Sequence, residues 1–312
     1  MKILVTGGSG FIGGEMLPKL VELGHEVYSL ERYVTGRYVL GQKTIAVTGD
    51  LRDGLSIRKR VKEIQPEAVI HLASISPVSY SYDHPHEVFE VNALGTINLA
   101  EACFREVKNL KQFLWAGTSE EYGNQDKFPI REDAELKPNS PYSASKVAAD
   151  KYLEYMRAAY GFPTTVLRPF NTFGRKNNTH FVIERALTQM LQGKDVMLGD
   201  QTPIRDFLYV DDHVNAYLTC LGNEKAVGDV FNFCTGRGVT IKEVVNELTK
   251  ITEFKGKITW NTVPPRPLDI KKLIGSYDKA KHVLGWEPKY SLETGLKKIV
   301  DFWKSKLAAQ SA

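Results

Sequence analysis

Lys2-Ile3-Leu4-Val5-Thr6-Gly7-Gly8-Ser9-Gly10-Phe11-Ile12-Gly13 stands at the head of the chain, and a helical stretch continues from it through Leu23. The order is apolar strand, glycine turn, helix. Gly7 or Gly8 allows the tight turn, Gly10 lets backbone approach a pyrophosphate, and Gly13 lets the helix pack on the sheet. The helix start, at Phe11 and Ile12, attracts the phosphates. The next apolar run ends at Glu31, 18 residues beyond Gly13, where a carboxylate can accept hydrogen bonds from an adenosine ribose. This favours NAD as cofactor. Arg32 keeps NADP as the alternative, because a guanidinium there can receive a 2′-phosphate. Asp50, with Leu51 after the third run, lies where such folds meet the adenine.

Outward from this motif, apolar runs at Ile3–Val5, Val27–Leu30, Thr44–Val47, Ala68–His71, Phe113–Ala116 and Thr164–Leu167 alternate with segments of helical period. That rhythm predicts an α/β fold, a Rossmann-type doubly wound parallel sheet whose crossover helices cover both faces. Ligands then collect at the carboxyl ends of the strands. After about Asn171 the rhythm loosens into a helix over Phe181–Leu191, strands near Phe207–Tyr209 and Val230–Phe233, and a helix from Ile241. The Pro-rich Val263-Pro264-Pro265-Arg266-Pro267 follows, then a closing helix over Leu292–Leu307. We expect a cofactor domain of residues 1–170 with a returning segment about 206–236, and a smaller substrate lobe of 171–205 and 237–312.

At 312 residues the chain has ample material for a full core, and 42% apolar with 25% charged residues matches an ordinary globular protein. The longest run free of Asp, Glu, Lys and Arg, Ala68–Tyr82, has 15 residues and is too short to cross a bilayer. No membrane span is expected. The strand-like start lacks an apolar leader, which argues against export. Forty-one basic and 37 acidic residues leave a net charge of +4, far from the concentrated positive face of a nucleic-acid binder. Three widely spaced cysteines, Cys103, Cys220 and Cys234, form neither a disulfide framework nor a zinc pattern, so a cytoplasmic location is expected.

The chemistry concentrates in two segments. Ser140-Pro141 has the form of an N-cap followed by proline, so Tyr142 opens a helix to about Ala159 and shares a face with Lys146 at i, i+4. The ammonium near the phenol, together with an oxidised nicotinamide, would lower the phenol from its usual value of about 10. The fifth strand ends in Ala116-Gly117-Thr118-Ser119-Glu120-Glu121-Tyr122-Gly123, which places a hydroxyl and carboxylates at the same sheet edge.

Through these segments the chain resembles the extended short-chain dehydrogenase/reductase superfamily, and within it the nucleotide-sugar epimerase/dehydratase family. His71-Leu72-Ala73, Asp50-Leu51, Val91-Asn92 with Gly95-Thr96, Arg168-Pro169-Phe170-Asn171, Arg205-Asp206-Phe207 with Tyr209-Val210, and Leu284-Gly285-Trp286 carry the likeness along nearly the whole length. The resemblance implies that Leu72 and Ala73 line the cofactor, Thr118 hydrogen-bonds the sugar hydroxyl, Tyr142 takes its proton and Lys146 holds the nicotinamide ribose. Hydride passes from sugar carbon 4 to NAD. It further implies that Ser119, Asn171 and Arg205 contact a nucleotide-diphosphate sugar and that Arg266 meets its diphosphate. An ion pair of Arg205 with Asp206 or Asp211 is the structural alternative.

Several outcomes share oxidation at carbon 4. A 4,6-dehydratase needs a base for the carbon 5 proton, and Glu120 can supply it, accepting that proton while the carbon 6 hydroxyl leaves. The GDP-mannose branch of dehydratases is similar in having Ser at the position of Ser119. Glu120 capping the next turn or pairing with a lysine is the bland alternative. Other reactions also fit the family: 4-epimerisation, decarboxylation of UDP-glucuronate, which Ser76-Pro77, Tyr80 and Tyr82 resemble, and reduction of 4-keto-6-deoxyhexoses, which Glu121-Tyr122-Gly123 resembles. A non-catalytic NAD(P) sensor on the same fold is the reading from another class.

Three other features have plainer readings. Asp83, His84 and His86 are expected to form a loop and not a metal site. Asp211-Asp212 is expected to N-cap the helix after it and to place favourable charge at its dipole. Cys103 is expected to be an inert core thiol. A homodimer is expected to form through helices spanning Glu87–Glu106 and Tyr142–Ala159.

Overall fold

A computed structural model describes residues 1–32, 43–176 and 178–311. The six apolar runs become β1 (Lys2–Thr6), β2 (Glu26–Glu31), β3 (Thr44–Thr48), β4 (Ala68–His71), β5 (Gln112–Ala116) and β6 (Thr164–Pro169). Beyond them come β7 (Asn171–Phe173), β8 (Val196–Met197), β9 (Ile204–Tyr209), β10 (Val230–Phe233), β11 (Gly238–Thr240), β12 (Ile258–Thr259) and β13 (Lys272–Leu273). The helices are α1 (Phe11–Glu22), α2 (Gly54–Ile64), α3 (Val78–Asp83), α4 (Pro85–Phe89), α5 (Gly95–Glu106), α6 (Pro141–Tyr160), α7 (Val182–Leu191), α8 (Val210–Cys220), α9 (Ile241–Thr252) and α10 (Leu292–Ser311).

Among the described residues, seven parallel strands form the main sheet in the order β10-β6-β5-β4-β1-β2-β3. The chain winds outward from β1 to β3 and then restarts at β4 on the other side of β1. The crevice at this reversal opens at the carboxyl ends of the strands. Alternate side chains of each strand feed opposite cores: Leu4, Val69, Phe113 and Trp115 pack with α2, α5 and α6, while Ile3, Val5, Ile70 and Leu114 pack with α1 and α8. β3, at the edge, is largely exposed.

β9 pairs with β7, β11 and β13 in a second sheet, whereas β10, later in the chain, returns to the main sheet beside β6. The second core cluster, with α7, α9, Trp286 and Trp303, is continuous with the α1 and α8 face of the main sheet. The segment expected as one helix over Glu87–Glu106 is interrupted. A wide π turn at Glu90–Leu94 separates α4 from α5. It turns Asn92 inward, where its amide bonds Ile75 N at 2.8 Å, Ile75 O at 3.1 Å and Ser145 Oγ at 3.2 Å.

The pair Asp211-Asp212 does not cap α8, whose N-cap is Tyr209 without a side-chain bond, but both acids stand in its first turn, where their charge favours the helix dipole. Asp212 instead accepts Lys289 N and Tyr290 N, both at 3.0 Å, and ties down the segment that enters α10. Asp211 lies between Lys19 and Lys298. No described helix is long and apolar enough to cross a membrane.

Candidate active site

The glycine turn is built by contact as much as by torsion. Gly7 has φ +72, and a Cβ there would stand 2.8 Å from Ala73 N; one on Gly13 would stand 2.4 Å from Gly7 O. Both positions exclude any side chain. Gly10 is the N-cap of α1 with no side-chain cap, and no acid stands in the first turn, so the opening N–H groups at Phe11 and Ile12 are left for an anion. This cradle fits a dinucleotide pyrophosphate. Leu72 N donates to Thr6 O at 3.1 Å and Ala73 N to Thr6 Oγ1 at 3.2 Å, which fixes the facing wall. His71 bridges Thr6 Oγ1 at 2.6 Å and Thr96 Oγ1 at 2.9 Å.

Glu31 ends β2 as expected, and its carboxylate is turned toward the glycine turn. It accepts Ser9 N at 3.0 Å, and Ser9 Oγ and Ser29 Oγ, each at 2.5 Å. Arg32 acts electrostatically on Asp50, but the main partner of Asp50 is Arg52, bonded at 2.6 Å. Arg52 was not singled out in the sequence, and its hydrogen bond is the leading cause that holds the Asp50 carboxyl below its usual range. Leu51 is buried against Gly95.

At the carboxyl end of β5, Ser119–Tyr122 forms a short 3-10 turn. Thr118 Oγ1 accepts Glu120 N at 3.3 Å while Glu121 Oε1 accepts Thr118 N at 2.8 Å. The capping carboxylate is therefore Glu121 and not Glu120. Glu121 is held in turn by Arg168 Nε at 3.0 Å, and the same guanidinium pairs with Asp150 and donates to Tyr122 Oη at 3.0 Å. Tyr122 Oη in turn donates a hydrogen bond to Asn232 Oδ1 at 2.8 Å. Every member of this network is buried.

α6 begins as the Ser140-Pro141 signal implies, with a capping box between Ser140 and Ser143. Tyr142 is buried, and the Thr118 hydroxyl lies near enough to act on its phenol, so the two residues expected to share the sugar hydroxyl do approach each other. Burial drives the phenol well above its ordinary range, although the Thr118 hydroxyl and Arg175 pull the other way. The lowering expected from Lys146 is therefore absent in the chain by itself. The Lys146 ammonium donates to Ala116 O at 2.8 Å and lies 5.0 Å from the centre of the Trp115 ring. Burial lowers this lysine and raises Glu121, each partly offset by the other's charge.

The substrate side is lined with charge. Burial raises Glu120, while Arg205 and Arg266 oppose that shift. Arg205 pairs neither with Asp206 nor with Asp211. Its Nη2 lies 3.4 Å from Asp269 Oδ1, and Arg266 reaches the same oxygen at 3.6 Å. Asp206 instead serves Thr235 and Gly236. Asn171 Oδ1 is buried with no partner, and Ser119 is buried beside Glu120. Asp269 escaped the sequence reading; its only local signal is the i, i+3 spacing from Arg266. Among the described residues no group of three or more His, Cys, Asp or Glu is placed to hold a metal, and His84 stacks on Tyr80 at 4.2 Å. Cys103 is fully buried, and burial pushes its thiol far up.

Residues 4–299 match the family described as GDP-mannose 4,6 dehydratase. The chain is 35% identical to a UDP-glucose 4-epimerase from Thermotoga maritima solved with UDP-glucose, over 98% of this chain and 100% of that one, with a TM-score of 0.91. A Thermus thermophilus UDP-glucose 4-epimerase solved with NAD is 31% identical over 97% of this chain and 99% of that one, with a TM-score of 0.89. A dTDP-glucose 4,6-dehydratase from Xanthomonas campestris pv. campestris is 30% identical over 96% of this chain and 92% of its own length. A likeness that spans sheet, lobe and glycine turn alike places the chain among the enzymes of the NAD-dependent nucleotide-sugar epimerase/dehydratase family, within the extended short-chain dehydrogenases/reductases.

Proposed function

We propose that the protein binds NAD and a nucleotide-diphosphate sugar, oxidises the sugar at carbon 4, and completes a 4,6-dehydration. The observation that carries this reading is the placement of Glu120, buried next to the Thr118–Tyr142 pair and set toward Arg205 and Arg266. NAD, when bound, takes hydride from the sugar and later returns it. Gly7, Gly10, Gly13, Phe11 and Ile12 would hold its pyrophosphate, Glu31, Arg32, Asp50 and Leu51 its adenosine end, and Leu72, Ala73, Tyr142 and Lys146 its nicotinamide half. Thr118 orients the carbon 4 hydroxyl and Tyr142 accepts its proton. The high phenol affinity in the chain alone means that proton transfer awaits a nearby positive charge. Arg205 and Arg266 receive the diphosphate, and Asn171 Oδ1 meets a donor from the substrate.

Once carbon 4 is a ketone, the carbon 5 proton is acidic. A carboxylate with raised proton affinity suits both its removal and protonation of the departing carbon 6 hydroxyl, and Glu120 is such a group. A second reading, 4-epimerisation, is favoured by the likeness to UDP-glucose 4-epimerases. Product analysis by NMR separates them. The purified protein is incubated with NAD and, in turn, GDP-mannose, dTDP-glucose and UDP-glucose. A 4-keto-6-deoxy product that disappears in Glu120→Gln supports dehydration; epimer formed equally by both proteins overturns it.

The proposal includes a homodimer through α5 and α6. These helices expose Phe104, Tyr155 and Tyr160, which form one aromatic cluster with ring centres 4.9 and 5.8 Å apart. The three buried free thiols suit the reducing cytoplasm.

A further inference from the structure

The strap from Thr262 to Asp269 has no helix or strand, and it is exposed from Val263 to Leu268, yet it carries both Arg266 and Asp269. Pro264, Pro265 and Pro267 lack N–H donors, so the strap cannot pair along its length as a strand. Its fixed points lie at the ends. Thr262 N and Oγ1 both reach Leu198 O at 2.9 Å, and Ile270 is buried. Between them two side chains take its carbonyls. Asn139 Nδ2 donates to Leu268 O at 2.9 Å. Asn124 Nδ2 donates to Asp269 O at 3.2 Å, and its Oδ1 accepts Lys271 N at 3.0 Å.

Both asparagines belong to the connection between the Thr118 turn and α6. Asn139 directly precedes the N-cap of α6, and its own backbone is fixed on both sides. Its N donates to Ser143 Oγ at 3.0 Å, and its O accepts Tyr82 Oη at 3.3 Å. The amide is therefore aimed from the rigid start of the helix that carries Tyr142. We infer that Asn139 and Asn124 are positioning residues that clasp the 262–270 strap to the catalytic face and so hold Arg266 and Asp269 over Glu120. What the clasped arginine receives, the diphosphate of a nucleotide sugar, rests on the function proposed above. The clasp itself rests on the geometry alone.

Two measurements test it on the full chain. Hydrogen exchange of the peptide covering 262–272 is followed without substrate in wild type, Asn139→Asp and Asn124→Ala. Asn139→Asp keeps an acceptor for the helix cap and replaces the donor to Leu268 O with a carboxylate oxygen that repels it. Exchange in the strap should quicken about five-fold in Asn139→Asp, the size expected for one lost hydrogen bond, and more in Asn124→Ala, which loses two. Unchanged exchange in Asn139→Asp overturns the clasp, whatever sugar the enzyme turns over. Steady-state kinetics with the nucleotide sugar identified by NMR should then show KM raised about five-fold with kcat within two-fold. A fall in kcat at constant KM would assign Asn139 to the helix cap and also overturn the inference. If no nucleotide sugar is turned over, the functional reading fails, and the exchange result still decides the clasp.

Discussion

Tyr142 and Glu120 are both buried acids whose proton affinity the fold has raised. Tyr142→Phe should lower kcat by roughly a thousand-fold, a typical share for a positioned general base, while fluorescence titration shows NADH affinity changed by less than about three-fold. Two imidazoles provide a separate test. Burial lowers both His71 and His213 to about 3, far below the 6.5 of an exposed imidazole. The unfolded chain therefore binds a proton at each below pH 6.5 while the folded chain does not, so the stability they contribute is full above pH 6.5 and drains away as pH falls toward 3. Buried carboxylates such as Asp206, raised to about 6, act in the opposite sense. A difference measurement removes them. Between pH 6.5 and 5, the stability gap between wild type and His213→Gln, read from urea midpoints, should shift in favour of the variant with a slope that rises toward about 1.4 kcal/mol per pH unit at the acid end.

At the scale of elements, the 3-10 turn after β5 owes its shape to Arg168 on β6. One guanidinium satisfies Glu121 and Tyr122 of the turn and Asp150 of α6. Arg168→Met would take from two buried carboxylates, Glu121 and Asp150, the counter-charge that is hydrogen-bonded to them. We expect a loss of about 3–5 kcal/mol in urea unfolding. A loss below about 1 kcal/mol would mean that the carboxylates simply take up protons. The π turn before α5 works similarly, because the extra residue points Asn92 at Ile75 and Ser145 and so joins the wall after β4 to the helix of Tyr142.

The whole molecule presents its aromatic cluster on the side of the main sheet opposite to the core it shares with the second lobe. Sedimentation velocity should therefore show a dimer. Phe104→Glu combined with Tyr155→Glu should shift it to monomer with the fold retained by circular dichroism. A wild-type monomer at micromolar concentration would remove the proposed interface.

Read alone, the amino-acid order determined whatever depends on near neighbours: the strand and helix rhythm, the glycine turn, the Ser140-Pro141 helix start, and the Tyr142–Lys146 spacing. These are set by backbone sterics and periodicity within a few residues. Tertiary structure alone decided the direction and company of the charges. Arg168 finds Asp150 across 18 residues and Glu121 across 47, and Arg205 finds Asp269 across 64. It also decided that Glu121 caps the turn while Glu120 does not, and that Lys146 bonds Ala116 O while burial holds the phenol high. A buried charge takes whichever partner packing brings within reach, because leaving it unpaired costs more than any local preference can repay.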